Sequence, residues 1–264
     1  MKKILAIANT IALLLTIAIN YISNSGLLNG NTMKTVSDKY ANYFTPAGYA
    51  FSIWGLIYLG LLGFVIYTAA GLNKEQQGGP VLLQVKWWFV VSCLANSLWV
   101  VAWLYDHIGL SVFLMAVIFI SLFNIIIRTG AVVERASLKK YLLVFAPFSL
   151  YFGWISVAFI ANMAAYLTAT GWDGWGISPI NWTVIMIAVA GLVNIFVIWT
   201  RNLYLFGAVG IWAILAIAAS NEVSLIINTC YVVAVVLAIV IIIRLLAAGN
   251  KKNNSPIIQG HNRV

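Results

Sequence analysis

The chain has 264 residues, of which 63% are apolar and only 8% are charged, and its formal net charge is +9. Soluble domains carry roughly one quarter charged residues, so this composition excludes a water-soluble globular protein. The apolar residues occur in runs of about 17 to 25, the length that a helix needs to cross a hydrocarbon core roughly 30 Å thick. We therefore predict an all-α fold, a polytopic membrane helix bundle.

Eight apolar runs follow one another along the chain, and each is predicted to form a transmembrane helix. An even number of spans places both termini on the same side of the membrane. The predicted spans are residues 4–20, 47–70, 87–105, 109–128, 141–168, 181–200, 203–220 and 223–247.

The charged residues support this count, because Lys and Arg are retained in cytoplasmic loops. With the N-terminus inside, thirteen of the fifteen Lys and Arg residues fall on the inner side, whereas four of the six acidic residues fall outside. We therefore expect a multi-pass protein of a bacterial plasma membrane with both termini in the cytoplasm. No nucleic-acid partner is expected, since the basic residues lie at helix ends and in a tail. The residues predicted outside are Lys34, Lys39, Asp38, Asp106, Asp173 and Glu222.

The first span has an alternative interpretation as a secretory signal. Two lysines, Lys2 and Lys3, precede the apolar stretch in the order that such a signal requires. No clear small-x-small cleavage site follows Asn20, where the chain continues Tyr-Ile-Ser-Asn-Ser-Gly. We therefore expect this segment to be a transmembrane helix, with cleavage as the alternative.

The predicted spans lack the ionisable groups that membrane enzymes and ion-coupled transporters use at mid-membrane depth. Every Asp, Glu, Lys and Arg is predicted at a span end or in a loop, and the histidines are His107 in a turn and His261 in the tail. The two cysteines, Cys93 and Cys230, have no metal-ligand spacing and are predicted to be buried fillers. We expect no catalytic residue, no metal and no required cofactor. An enzymatic activity is the alternative, although no residue of the chain requires it.

Aromatic and amide residues repeat at helical spacing on three predicted helices. Residues at i, i+3 and i+7 lie on one helical face, and eleven residues bring a helix round to within about 20° of its start. If the three faces converge, they enclose a cavity suited to a large, planar and mostly apolar ligand. The predicted ligand-binding residues are Phe51, Trp54 and Tyr58 on the second helix, Asn96, Trp99 and Trp103 on the third, and Tyr151, Trp154, Ala158 and Asn162 on the fifth.

On spacing alone, a second interpretation has comparable weight, in which aromatic faces pack the bundle or lie at the membrane interface. Trp54, Trp99 and Trp154 favour the ligand site, because they lie further from the span ends and each has a Tyr or Asn on its own face. The tryptophans predicted as interface anchors are Trp87, Trp88, Trp172, Trp175 and Trp182.

Four short motifs occur one after another along these three helices. Phe44-Thr-Pro-Ala-Gly-Tyr-Ala-Phe51, followed by Trp54-Gly-Leu-Ile-Tyr58, precedes Asn96-Ser-Leu-Trp99 and then Tyr151-x-x-Trp154 with Asn162 eight residues beyond. Together they resemble the tryptophan-rich sensory protein and translocator protein (TspO/MBR) family, with its Thr-Pro-Pro-x-Trp-x-Phe, Trp-x-x-x-Tyr, Asn-x-x-Trp and Tyr-x-x-Trp motifs. The resemblance covers roughly residues 1–168.

The chain also departs from that family pattern. Ala47 replaces the second proline, Tyr49 stands where tryptophan is usual, one residue is missing between Phe51 and Trp54, and Pro147 lies about one turn early. The sterol-contact pattern of some relatives needs a basic residue just after the fifth helix, and the segment 166–172 has none. Sterol recognition by that route is therefore not expected.

The largest departure is length, because family members typically end after five helices. The implied organisation is a five-helix membrane domain (1–168), an external loop (169–180), a three-helix C-terminal extension (181–248) and a cytoplasmic tail (249–264). Small residues such as Gly207, Gly210 and Ala218 allow close helix packing in the extension, in which we identify no second site.

The resemblance implies a cavity that opens near the loop between the first two helices and accepts tetrapyrroles such as protoporphyrin IX or haem, or sterol-like lipids. We accordingly expect a sensor, carrier or regulator that binds such a ligand. Its expected partners are membrane lipids, that ligand and, in a homodimer, a second copy of the chain. Two alternatives stay open, namely a transporter or facilitator of a small apolar solute and a structural subunit whose aromatic residues only pack.

Overall fold

The computed structural model describes residues 1–72, 78–130 and 137–253, with side chains as far as residue 248. All regular structure in these segments is helical, which confirms the predicted all-α bundle. The α-helices are α1 (Lys2–Ile22), α2 (Met33–Lys39), α3 (Ile53–Ala70), α4 (Gly78–Val85), α5 (Trp88–Leu104), α6 (Ile108–Thr129), α7 (Leu138–Lys140), α8 (Ala146–Ala169), α9 (Pro179–Arg201), α10 (Tyr204–Ala219) and α11 (Ser224–Asn253).

The eight predicted spans correspond to α1, α3, α5, α6, the segment from α7 to α8, α9, α10 and α11. Six of these segments are long and apolar enough to cross a membrane on their own. Helix α5 reaches that length only together with α4, from which it is bent by 62°. Helix α10 has 16 residues, or about 24 Å, and is therefore shorter than the hydrocarbon core.

Hydrogen bonds between loops show which helix ends lie together. The Asn31 side chain donates to the carbonyl oxygen of Leu104 at 2.9 Å, and the Asn221 side chain donates to that of Tyr43 at 3.0 Å. These contacts gather the loops after α1, α5 and α10 at one end of the bundle, and the loop after α8 reaches the same end. We call it the acidic end, and its acidic residues are Asp38, Asp106, Asp173 and Glu222.

Basic residues lie at the opposite end of the bundle, which we call the basic end. The Nζ atom of Lys2 is close to Gly79 at the start of α4, and Arg244 donates to Asn202 at the end of α9. Further residues of the predicted charge pattern lie outside the described side chains: Lys74, Arg135, Lys251, Lys252, His261 and Arg263. Helix α11 continues to Asn253, past residue 249 where the tail was predicted to begin, and residues 254–264 are not described.

Helix α4 lies in a segment that the sequence analysis treated as a polar break between spans. Its side chains Val81, Leu82 and Val85 are buried, and it contacts α1, α3 and α6. Lys86 follows with a left-handed backbone (φ 51°), which turns the chain sharply into α5. The apolar side of α4 therefore packs under the bundle and helps to close its basic end.

The fifth predicted span is continuous but irregular. Residues Tyr141–Phe145 form a π-helical turn between α7 and α8. Pro147 has no backbone N–H, and its ring would clash with the carbonyl four residues earlier in a regular α-helix. A wider π turn accommodates this proline.

The C-terminal helices pack directly against the first five. A Cβ atom at Gly153 on α8 would lie 3.0 Å from the carbonyl oxygen of Phe206 and 3.1 Å from its Cα atom on α10. The absence of a side chain on Gly153 therefore lets the two backbones approach closely. Both cysteines, Cys93 and Cys230, are buried as predicted.

Candidate functional site

The three predicted aromatic faces converge around the indole of Trp54. Its ring centroid lies 5.5 Å from that of Tyr58, 6.1 Å from Trp99, 5.7 Å from Tyr151 and 6.3 Å from Trp154. Aromatic pairs attract each other at separations of 4.5–7 Å. Helices α3, α5 and α8 thus each contribute at least one ring to a single cluster.

A cavity of about 50 Å³ lies beside this cluster. Ligand pockets usually have volumes of roughly 300–1,000 Å³, so the aromatic side chains fill most of the space that the sequence analysis assigned to a ligand. Tyr58, Asn96 and Tyr151 do not line the cavity. The predicted residues that do line it are Phe51, Trp54, Trp99, Trp103, Trp154, Ala158 and Asn162.

The spacing predicted that Phe51 shares an α-helical face with Trp54, but in the structure it does not. Residues Gly48–Ser52 form a 3-10 helix, and α3 begins only at Ile53. The early glycine disfavours an α-helix here, and the N–H of Ala47 is held by the carbonyl oxygen of Ala216 at 2.9 Å. Phe51 nevertheless reaches the site, with its ring 6.1 Å from that of Trp154.

Asn96 is fully buried and joins four helices. Its Oδ1 atom accepts hydrogen bonds from Asn20 Nδ2 at 2.8 Å and from the Tyr58 hydroxyl at 3.4 Å. Its Nδ2 atom donates to the Tyr151 hydroxyl at 3.0 Å. Asn20 was not predicted at the site, although Asn9, which is also buried, precedes it by eleven residues and shares its face of α1.

Asn162 fixes the orientation of one indole. Its Oδ1 atom accepts from Trp99 Nε1 at 2.8 Å, and its Nδ2 atom donates to the Ser111 hydroxyl at 2.8 Å. Ser111 belongs to α6, on which no site residue was predicted.

The indole N–H of Trp154 differs from those of the neighbouring tryptophans. Trp103 Nε1 donates to the carbonyl oxygen of Met33 at 3.2 Å, and Trp99 Nε1 is bonded to Asn162. Trp154 Nε1 is buried and has no hydrogen-bond partner among the described residues. A buried donor without a partner costs about 1–3 kcal/mol, so this N–H is an available donor on a residue that lines the cavity.

Comparison with known proteins places this architecture in a family. The family described as TSPO-like protein matches residues 6–243. The chain belongs to the TSPO-like protein family. The match confirms the predicted family and an integral multi-pass membrane protein of this type. It also extends through α9 and α10 and into α11, so it covers most of the predicted extension. No curated protein and no solved structure matches the chain.

In this TSPO-like protein, residues 33–46 lie over the cavity, and we call this segment the lid. The lid begins with α2, whose N-terminus is capped by reciprocal hydrogen bonds between Thr32 and Thr35. Five of its residues, Met33, Ser37, Tyr40, Thr45 and Pro46, line the cavity. The charge pattern predicts an external loop here but not this short helix.

Asp106 ties the lid to the end of α5. Its Oδ1 atom accepts from the Tyr40 hydroxyl at 2.8 Å, and its other oxygen forms an ion pair with Lys39. The hydrogen bond from Lys39 is the main reason that the pKa of the Asp106 carboxyl is lowered from its ordinary 3.8. A carboxyl with a lowered pKa stabilises the closed lid above its ordinary pKa, and this contribution is lost as the pH falls through the lowered value. The tie is therefore fully present at neutral pH.

Proposed function

We propose that this TSPO-like protein binds a large, planar and mostly apolar ligand, such as a porphyrin, haem or a sterol-like lipid, in the cavity beside Trp54. In this role it serves as a membrane sensor, carrier or regulator. The observation that carries the proposal is the unpartnered, buried N–H of Trp154 on a cavity walled by aromatic rings. A planar ligand stacks on the indole faces, and an acceptor on its edge takes the Trp154 hydrogen bond.

Binding requires the cavity to enlarge, since about 50 Å³ cannot hold such a ligand. The lid is the element that moves in this proposal, because Met33, Ser37 and Tyr40 form the wall of the cavity towards the acidic end. Its ties to the bundle are the buried side chains of Met33, Val36 and Phe44 and the polar contacts of Asp106. Opening exposes these apolar side chains, which costs free energy that the bound ligand offsets with its own apolar contacts.

The packing below the cavity favours binding over passage of a solute across the membrane. Phe64, Phe89 and Phe148 are fully buried there, with ring centroids 4.9–5.8 Å apart. The buried side chains of α4 lie nearer the basic end. A solute that left the aromatic cluster would have to displace both layers, which supports a ligand that enters and leaves at the acidic end.

We also propose that the chain lies in a bacterial plasma membrane with its basic end in the cytoplasm. Lys and Arg at the helix ends face the cytoplasm in most membrane proteins. In this orientation the lid faces outward, and the ligand reaches the cavity from the outer side.

The Trp154→Phe substitution tests the role of the N–H, since it removes the donor and keeps most of the aromatic surface. We expect the affinity for protoporphyrin IX to fall roughly tenfold, the equivalent of one buried hydrogen bond. The melting temperature should fall less than that of a Trp99→Phe protein, because both changes remove the same ring volume but the Trp154 N–H has no partner among the described residues. Quenching of tryptophan fluorescence and thermal unfolding in detergent measure the two effects.

The matched control is Trp99→Phe, which removes an N–H that already donates to Asn162. This variant should lose about 1 kcal/mol more stability than Trp154→Phe, the contribution of the hydrogen bond to Asn162. A Trp154→Phe protein that binds protoporphyrin IX as tightly as the wild type would overturn the proposal.

The Asp106→Asn substitution tests the lid. It removes the charge that holds Lys39 and weakens the contact with Tyr40, so the lid opens more often. We expect protoporphyrin IX to associate roughly threefold faster in stopped-flow measurements. The effect is small because exposed polar contacts contribute little free energy. The control is Asp38→Asn, because Asp38 pairs with Lys34 within α2 and does not tie the lid to the bundle. Equal association rates in the two variants would show that Asp106 does not control the lid.

A further inference from the structure

A larger cavity, of about 380 Å³, opens between α8 and α9 at the acidic end. Its volume is within the range of small-molecule sites. No site was predicted in the C-terminal extension, yet α9 forms one wall of this cavity. It lies on the other side of α8 from the aromatic cluster, and none of the predicted ligand-binding residues lines it.

The deep part of the cavity is apolar and elongated. Its lining residues on α8 run from Thr168 down to Phe159, nine residues or about 14 Å along the helix axis. Met163 on α8 and Met186 on α9 lie along this path, and the small side chain of Ala164 leaves room between the helices. Methionine side chains adapt to apolar surfaces of varied shape. These walls suit an extended alkyl chain.

The mouth of the cavity is built from tryptophans held in fixed positions. The ring centroids of Trp172 and Trp182 are 5.2 Å apart, and Trp175 packs against both at 5.3 and 6.1 Å. Trp182 Nε1 donates to the carbonyl oxygen of Gly174 at 2.7 Å. Two of the rings, Trp172 and Trp182, line the cavity. The predicted interface anchors Trp172, Trp175 and Trp182 thus pack together into one rim.

The charge at the mouth is negative. Asp173 is the one charged residue among those that line the cavity. Among the described side chains, ion pairs join Asp38 and Asp106 to lysines, whereas Asp173 is in none. A carboxylate beside indole faces attracts an ammonium group through both its charge and cation–π contact, and it repels an anion.

We propose that the α8–α9 cavity binds a single-chain amphiphile with a positively charged ammonium head. The alkyl chain lies between α8 and α9, and the head lies between the Asp173 carboxylate and the indoles of Trp172 and Trp182. This second site goes beyond the proposed function, because it shares no lining residue with the cavity beside Trp54 and selects the opposite headgroup charge to that of a porphyrin carboxylate.

A photoreactive alkyltrimethylammonium with a diazirine at the end of its chain tests the site in the full-length protein in dodecyl maltoside micelles. We expect labelling of peptides that contain Phe159 or Met186, and competition by unlabelled hexadecyltrimethylammonium. Hexadecanol and palmitate, which have the same chain but a neutral or anionic head, should compete at least tenfold less well. Equal competition by all three compounds would overturn the proposal.

Substitutions at the mouth and in the depth of the cavity separate its two parts. The Asp173 carboxylate accepts from the backbone N–H of Trp175 at 3.0 Å, and Asp173→Asn retains an oxygen for this bond. The substitution should weaken competition by hexadecyltrimethylammonium roughly tenfold, the scale of one charge-assisted contact. Glu222→Gln removes the same charge from the same end but outside the cavity, and it should change nothing. Equal effects of the two substitutions would show that the headgroup is not held by Asp173.

Ala164→Phe should abolish labelling by filling the space between the helices. If this variant does not fold, the competition series on the wild-type protein still decides the proposal. Trp154→Phe should label like the wild type, so failure of the ammonium site and failure of the porphyrin site are distinguishable.

Discussion

Asn96→Ala is expected to lower the free energy of unfolding by about 2 kcal/mol. The Asn96 side chain makes three hydrogen bonds to other helices, through Asn20, Tyr58 and Tyr151. Hydrogen bonds between transmembrane helices contribute about 0.6 kcal/mol each on average, so three give roughly 2 kcal/mol. The loss is larger than for one surface contact because the Tyr151 hydroxyl stays buried without this partner.

Thermal or denaturant unfolding in detergent measures this loss, and Asn124→Ala is the matched control. Asn124 is also an amide within a span, but among the described residues its Nδ2 atom bonds only to the carbonyl oxygen of Ile120 in its own helix. The control should change stability by less than about 0.5 kcal/mol. Similar losses in both variants would show that Asn96 does not hold the four helices together.

The bundle could be predicted from the sequence because each of its main features depends on local spacing. The length of an apolar run decides whether a helix can span the membrane, and the period of 3.6 residues decides which side chains share a face. The spacing therefore places Trp54, Trp99 and Trp154 on aromatic helix faces without any knowledge of tertiary contacts, and the convergence of these faces is seen only in the structure. The same reasoning found Asn96 and Asn162, since both lie one turn or more from a tryptophan on their own face.

Other features depend on contacts between distant parts of the chain, and spacing does not reveal these. Whether the cavity is open or closed depends on how the rings pack, and the structure leaves about 50 Å³. Phe51 lies off the predicted helical face, because the 3-10 segment that contains it is held by a contact with Ala216, which is distant in the sequence. The cavity beside Asp173 exists only because α9 packs next to α8. The sequence of either helix alone therefore does not predict it.

Trp54→Ala is expected to lower the free energy of unfolding by about 3 kcal/mol. This loss is near the lower end of the range for removal of a core tryptophan, because Trp54 is only partly buried. Trp54 contacts four other rings, so its removal leaves an apolar space framed by Tyr58, Trp99, Tyr151 and Trp154. Such a space binds a small aromatic molecule if its walls keep their positions.

Free indole tests whether these walls are preorganised for a planar ligand. Indole that binds only the folded Trp54→Ala protein must raise its melting temperature in proportion to ligand concentration and affinity. Trp87→Ala is the control, because the Trp87 side chain is 52% exposed, and this variant should lose little stability and show no response to indole. If indole fails to stabilise Trp54→Ala, the site collapses without its central ring, and the surrounding residues do not form a framework for a planar ligand. If indole restores stability, the remaining aromatic rings hold a ring-shaped space on their own, as binding of a planar ligand beside Trp54 requires.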